Sequence, residues 1–138
     1  MSSQGSLRSL TALGCLSAGL AVAAGAFGAH MLKSTLEPSM LTVFETAARY
    51  QMYHAIGMVA AGLAGRAFDR PQAARAGWCF AAGTVLFCGS LYGVSLLGIR
   101  WLGAITPIGG LAFIAGWSLF GWSIWRGSMS SHDRECGP

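Results

Sequence analysis

The sequence predicts an all-α integral membrane protein built as a four-helix bundle. Of its 138 residues, 54% are hydrophobic and 10% are charged, whereas a typical soluble domain has about 25% charged residues. The apolar residues are collected in four long runs separated by short polar connections. As a helix, each run is long enough to cross a hydrocarbon core of about 30 Å. The lipid bilayer is therefore the first expected partner.

The first predicted helix covers residues 10–29, after a polar N-terminal tail at residues 1–9. A cleavable signal peptide is the alternative, with Arg8 as its charged region and residues 24–26 as a small-residue cleavage site. Apolar sequence continues beyond that site. This continuation favours a retained membrane helix.

The second predicted helix, residues 42–65, has an unusually polar first half. Its start is open by several residues, because Ser34 with Glu37 and Thr42 with Glu45 both have capping-box spacing and Pro38 fits a first turn. The polar side chains are Glu45, Arg49, Tyr50, Gln51, Tyr53 and His54. Residues three or four apart share a helix face, so Glu45, Arg49 and Tyr53 form one stripe, and Tyr50 and His54 form a second with Gln51 at its margin. A helix lying flat on a membrane keeps its polar groups on one side. We therefore expect protein neighbours on more than one face, and expect Glu45 and Arg49 to neutralise each other.

The third and fourth predicted helices cover residues 76–97 and 102–125, and residues 126–138 are expected to form a flexible tail. Thr106 and Pro107 leave two interpretations of the fourth segment. Either Thr106 caps a helix that begins at Pro107, or a longer helix is kinked there. The frequent use of proline at the first helical position favours the capped start.

The distribution of cations predicts the orientation of the four helices. The positive-inside rule places the side with more arginine and lysine in the cytoplasm. One side holds Arg8, Arg66, Arg70, Arg75, Arg126 and Arg134, and the other holds Lys33 and Arg100. The expected location is the cell inner membrane, with both termini cytoplasmic. The formal charge of +4 is explained by these topology signals, so no nucleic acid partner is expected.

Small residues at helical spacing predict where the helices pack. Helix association in lipid depends on close backbone approach and on interhelical polar contacts. The glycines expected at such contacts are Gly25, Gly28, Gly89, Gly93, Gly109, Gly110 and Gly116.

Several motifs together resemble a known family. Residues 25–30 read GAFGAH, residues 49–54 read RYQMYH, residues 83–92 read GTVLFCGSLY and residues 106–110 read TPIGG. This set closely resembles the YgdD-like family of small bacterial inner-membrane proteins, a domain of unknown function with four predicted spans. The resemblance implies a multi-pass membrane protein. It implies no activity.

The chemistry-bearing residues do not form a recognised catalytic or metal-binding pattern. His30, His54 and Glu45 lack the ligand spacing of metal sites, and His30 is expected to end the first helix, where an imidazolium is favoured. The cysteines, Cys15, Cys79, Cys88 and Cys136, are scattered. Nucleophile and nucleotide-binding motifs are missing. We therefore expect no enzyme activity, no cofactor and no metal.

Two classes of function remain. The first is a structural or partner-binding component of the membrane, whose partner is another copy of the chain or a second membrane protein. The alternative is binding or transport of a small solute, lipid or proton through a polar cluster on the second helix. That cluster would comprise the six polar residues of this helix together with His30 and Tyr92.

Overall fold

The computed structural model describes residues 3–68, 70 and 72–135, with side chains described between residues 4 and 126 of these ranges. Its helices are α1 (Ser3–His30), α2 (Pro38–Ala67), α3 (Gln72–Gly83), α4 (Gly89–Leu97) and α5 (Thr106–Glu135). Two short 3-10 segments, Leu32–Ser34 and Arg100–Ala104, precede α2 and α5. The described residues contain no strand, which confirms the predicted all-α class.

The third predicted helix is one rod with a π-helical turn in its middle. This turn, Thr84–Cys88, joins α3 to α4, and the rod runs from Gln72 to Leu97. The Thr84 hydroxyl donates a hydrogen bond to the Phe80 carbonyl at 2.9 Å, next to the place where the helical ladder changes. The rod ends at Gly98, whose φ of 68° is left-handed and suits glycine at a helix C-terminus.

Three helical segments are long and apolar enough to cross a membrane: Gln4–Ser34, Gln72–Leu97 and Arg100–Arg126. This criterion uses only length and composition within the described residues. The sequence predicted four such segments, but α2 does not meet the criterion. Its 30 residues span about 45 Å, so its length is sufficient. It fails the criterion because the polar residues of its first half lower its mean hydropathy.

The helix boundaries differ from the predicted ones in ways that local chemistry explains. The second helix begins at Pro38 rather than residue 42, because proline is well suited to the first turn. The Thr42 hydroxyl donates to the Pro38 carbonyl at 2.9 Å and therefore lies inside the helix. The fourth predicted helix starts at Thr106, after a 3-10 segment, and continues to Glu135, past Arg126 where the sequence predicted a flexible tail.

The bundle is organised around α2. This helix packs along α1 on one side and against α3 and α4 on the other, and α5 packs on α3. Half of the main buried cluster comes from α2. The cluster consists of Leu10, Ala47, Ala55, Met58, Ala61, Phe80, Cys88 and Phe113.

Several predicted packing glycines lie where helices touch. A Cβ on Gly116 would come within 2.6 Å of the Phe80 ring, and one on Gly28 within 3.1 Å of Phe44. Gly109 would meet the backbone of Phe87. Backbone atoms cannot move aside as a flexible side chain can, so the last contact leaves no room for a larger residue.

The other predicted glycines are less uniform. Gly93 would meet Leu102, and Gly110 is at ordinary contact distance, 3.9 Å, from the Phe87 ring. Gly25 and Gly89 have no atom within 4 Å of the position of a Cβ. These two glycines make no close helix contact within the described chain, because each lies on an outward face of its helix.

Candidate functional site

The polar residues of α2 are divided between an inner and an outer face. Gln51 and His54 are buried, with exposed fractions of 8% and 5%. Glu45 and Arg49 are exposed, and so is Tyr53, at 53%. The predicted stripe of Glu45, Arg49 and Tyr53 is therefore one surface of the folded chain. The expected protein neighbours enclose the other surface, whereas this one borders α1 only along an open groove in the described chain.

Gln51 connects three helices through its side-chain amide. Its Nε2 donates a hydrogen bond to the Ser17 carbonyl of α1 at 3.1 Å. Its Oε1 accepts one from the Tyr92 hydroxyl of α4 at 2.9 Å. Such interhelical hydrogen bonds help to hold membrane helices together. We call Ser17, Gln51 and Tyr92 the inner network.

Sequence reasoning placed Gln51 only at the margin of a stripe and missed this bridging role. The Ser17 acceptor is a backbone carbonyl, which every residue has, so no residue pattern identifies it. The polarity of Gln51 within an apolar helix was the available signal. Its partners depend on how α1 and α4 are placed.

His54 lies in an aromatic cluster beside the inner network. Its ring is stacked on Phe113, with 3.3 Å between centroids and an interplanar angle of 7°. Its Nδ1 lies 2.7 Å from the Tyr50 carbonyl one turn earlier. A carbonyl oxygen only accepts hydrogen bonds, so this contact assigns the proton to Nδ1. The Tyr50 ring stacks in turn on Phe87 at 4.9 Å.

The outer residues of α2 line an open groove against α1. This α1–α2 groove has a volume of about 340 Å³ and is lined by Ala21, Gly25, Glu45, Ala48, Arg49, Met52 and Tyr53. No ion pair or hydrogen bond of the Glu45 or Arg49 side chain to another described residue is present. The predicted mutual neutralisation of Glu45 and Arg49 is therefore not formed, although their spacing would permit it. The groove presents two opposite charges without partners in the described chain.

A second groove, of about 670 Å³, lies between α2, α4 and the start of α5. Arg100 is the charged residue of its lining. The Thr106 hydroxyl, also in the lining, is 2.7 Å from the Ser90 hydroxyl and is therefore engaged between α4 and α5. This groove offers one cation, whereas the α1–α2 groove offers a cation and an anion together.

The remaining predicted residues do not assemble into a site. His30 ends α1 and is exposed. Within the described ranges, no group of three or more His, Cys, Asp or Glu residues is placed to hold a metal ion. Cys15, Cys79 and Cys88 are free, and Cys136 lies outside the described residues. His54 is buried and Tyr92 is half-buried, and neither lines the groove that holds Glu45 and Arg49.

Comparisons with known proteins agree on one family. Residues 24–110 match the family model described as "Protein of unknown function (DUF423)". The chain is 49% identical over 106 residues to "UPF0382 membrane protein YwdK" of Bacillus subtilis, covering 76% of this chain and 86% of that protein. It is 48% identical over 105 residues to "UPF0382 membrane protein SSP2132" of Staphylococcus saprophyticus, covering 76% and 87%. No solved structure gave a significant match.

Proposed function

The chain belongs to the DUF423 family of UPF0382 membrane proteins, which has no established activity, and we propose that it is a structural, partner-binding component of the membrane rather than an enzyme. The predicted resemblance to a membrane family of unknown function is confirmed at that level.

The division of α2 into two polar faces carries this proposal. The inner polar groups are occupied within the chain, since Gln51 binds Ser17 and Tyr92. The outer charges, Glu45 and Arg49, have no such partner among the described residues. A charged side chain at the centre of a bilayer costs about 2.5–3.5 kcal/mol on insertion scales. Contact with another protein group would offset that cost, and this supports a partner on the α1–α2 groove.

We propose four membrane spans, namely the three long apolar segments and α2. Its position among α1, α3 and α4 supports this topology, because a central helix can shield polar groups that lipid would not solvate. The excess of arginine at both ends and in the connection after α2 supports cytoplasmic termini. The inner membrane is the corresponding location.

Binding of a small solute, lipid or proton is the second candidate, and the open α1–α2 groove is the observation that favours it. The groove is shared by Glu45, Arg49 and Tyr53. The predicted polar cluster also included His54, which is buried, and Tyr92, whose hydroxyl donates to Gln51. Partner binding needs only the groove residues, and for this reason we place it first.

Native mass spectrometry after purification in mild detergent tests the proposal. We expect the wild-type chain to occur in a complex with another protein chain. Glu45→Gln and Arg49→Gln should weaken that complex while leaving thermal stability nearly unchanged, because neither side chain has an intrachain partner in the described residues. Gln51→Leu is the matched control from the inner face and should lower thermal stability. A wild-type chain that is monomeric both in native mass spectrometry and after cross-linking in native membranes would contradict the proposal.

A further inference from the structure

The α1–α2 groove combines opposite charges with a place for close backbone approach. Glu45 and Arg49 are four residues apart and line the same groove of α2. Across the groove, Gly25 has no atom within 4 Å of the position of a Cβ. Small residues on an outward face allow another helix to come close to the backbone.

The depth of these charges makes their lack of a partner significant. Glu45 is seven residues after Pro38, where α2 begins, which places it about 10 Å along the helix axis. Arg49 is one turn further, at about 16 Å. The headgroup region on each side of the hydrocarbon core is about 5–8 Å thick. In an upright α2 whose first residue lies at the outer edge of the headgroup region, both residues lie within the hydrocarbon core.

We propose that the occupant of the groove is a second copy of this chain, in a two-fold symmetric dimer in which each Glu45 pairs with the partner's Arg49. This inference rests on the proposed partner-binding function and names the partner. A two-fold axis along the membrane normal brings identical surfaces together. Each copy then places its Glu45 against the partner's Arg49 and its Arg49 against the partner's Glu45, so two ion pairs form at one contact.

The geometry of a helix side chain suits this pairing. In facing α2 helices, Glu45 and the partner's Arg49 differ in depth by about 6 Å, the rise of four residues. The Cβ of Arg49 is tilted toward the N-terminus of α2, which is the side of Glu45. The long arginine side chain can therefore cover the offset. A phospholipid headgroup could also neutralise both charges, but it would leave the backbone opening at Gly25 unused.

Charge inversion in two separately tagged chains tests the dimer. One chain carries Glu45→Arg and the other carries Arg49→Glu, so each makes only like-charge contacts with itself. We expect each to dimerise at least tenfold more weakly than wild type, which corresponds to about 1.4 kcal/mol. Co-expression of the two should restore a mixed dimer with an affinity within about threefold of wild type. Pull-down through one tag, followed by native mass spectrometry, measures the result.

A second pair of variants tests the same contact without changing any charged residue. Gly25→Ile should weaken the dimer at least tenfold and leave the monomer folded, because the new side chain enters open space. Gly89→Ile, also in open space but away from the groove, should leave the dimer unchanged. Circular dichroism melting confirms that all four variants fold.

Each alternative outcome has a distinct meaning. A wild-type monomer bound to a different membrane protein would overturn the dimer and leave the proposed function standing. A wild-type monomer carrying only a phospholipid, lost in Arg49→Gln, would overturn both. A dimer that persists in each charge-inverted chain alone, or that the mixture does not restore, would overturn the assigned contact.

Discussion

Replacing Gln51 by leucine removes the side chain that bridges three helices, and the structure shows what each partner loses. The Tyr92 hydroxyl loses its acceptor, which is 2.9 Å away in the wild type. The Ser17 carbonyl loses a donor at 3.1 Å. Leucine is apolar and of broadly similar size to glutamine, so the substitution does not open a large cavity at position 51. The main effect of the substitution is therefore the loss of polar contacts.

The size of the effect follows from hydrogen bonding inside a membrane bundle. Leaving a buried polar group without a partner costs about 1–3 kcal/mol, whereas interhelical hydrogen bonds measured in a membrane protein average about 0.6 kcal/mol with a maximum near 1.7. We therefore expect Gln51→Leu and Tyr92→Phe each to lower the free energy of unfolding by about 1–2 kcal/mol. The double variant should be less destabilised than the sum, by about 0.6–1.7 kcal/mol.

Unfolding by sodium dodecyl sulfate in mixed micelles, followed by circular dichroism, measures the double-mutant cycle. Ser17→Ala is the control, because the Ser17 hydroxyl has no hydrogen-bond partner among the described residues and the carbonyl that binds Gln51 remains. This variant should not lower the free energy of unfolding, and it should raise it by up to about 1–3 kcal/mol because a buried polar group without a partner is removed. A coupling between Gln51 and Tyr92 indistinguishable from zero would refute the inner network as a stabilising contact.

Three further expectations concern packing and topology. Gly109→Ala should lower the free energy of unfolding by about 1–3 kcal/mol, since its methyl group would meet the Phe87 backbone. Gly89→Ala should raise it by up to about 1 kcal/mol, because alanine favours a helix more than glycine does. Equal effects of the two variants in thermal denaturation would contradict these contacts. His54→Ala should cost at least about 1 kcal/mol by removing the ring stacked on Phe113, and a variant as stable as wild type would disprove that role. A green fluorescent protein reporter fused to the C-terminus should be fluorescent, because cytoplasmic termini are proposed; activity only of a periplasmic alkaline phosphatase fusion would exclude that topology.

The helical architecture could be predicted from the sequence because it depends on composition and local chemistry. Long apolar runs require internally satisfied backbone groups in lipid, and a helix provides them. The ends of helices were less predictable. Pro38 and Thr42 are both compatible with a helix start, and the structure selects Pro38. Local signals therefore identified the segments but left several of their boundaries open.

The candidate site could be predicted as a set of residues but not as an arrangement. The spacing of Glu45 and Arg49 placed them on one face, and the structure has both in the α1–α2 groove. The same spacing suggested an ion pair that is not formed among the described residues. Helical periodicity gives the directions of side chains relative to one another on one helix. It does not decide which direction meets a neighbouring helix.

The sequence by itself determined that this chain is helical, suited to lipid and unusually polar along α2. Only the tertiary structure decided that Gln51 and His54 lie inside while Glu45 and Arg49 remain on the outer surface. It also decided that Gly28 contacts Phe44 whereas Gly25 is open. The physical reason is that membrane helices gain little from apolar burial against one another. Their mutual placement follows from shape and polar contacts across the whole bundle, which no single stretch of sequence contains.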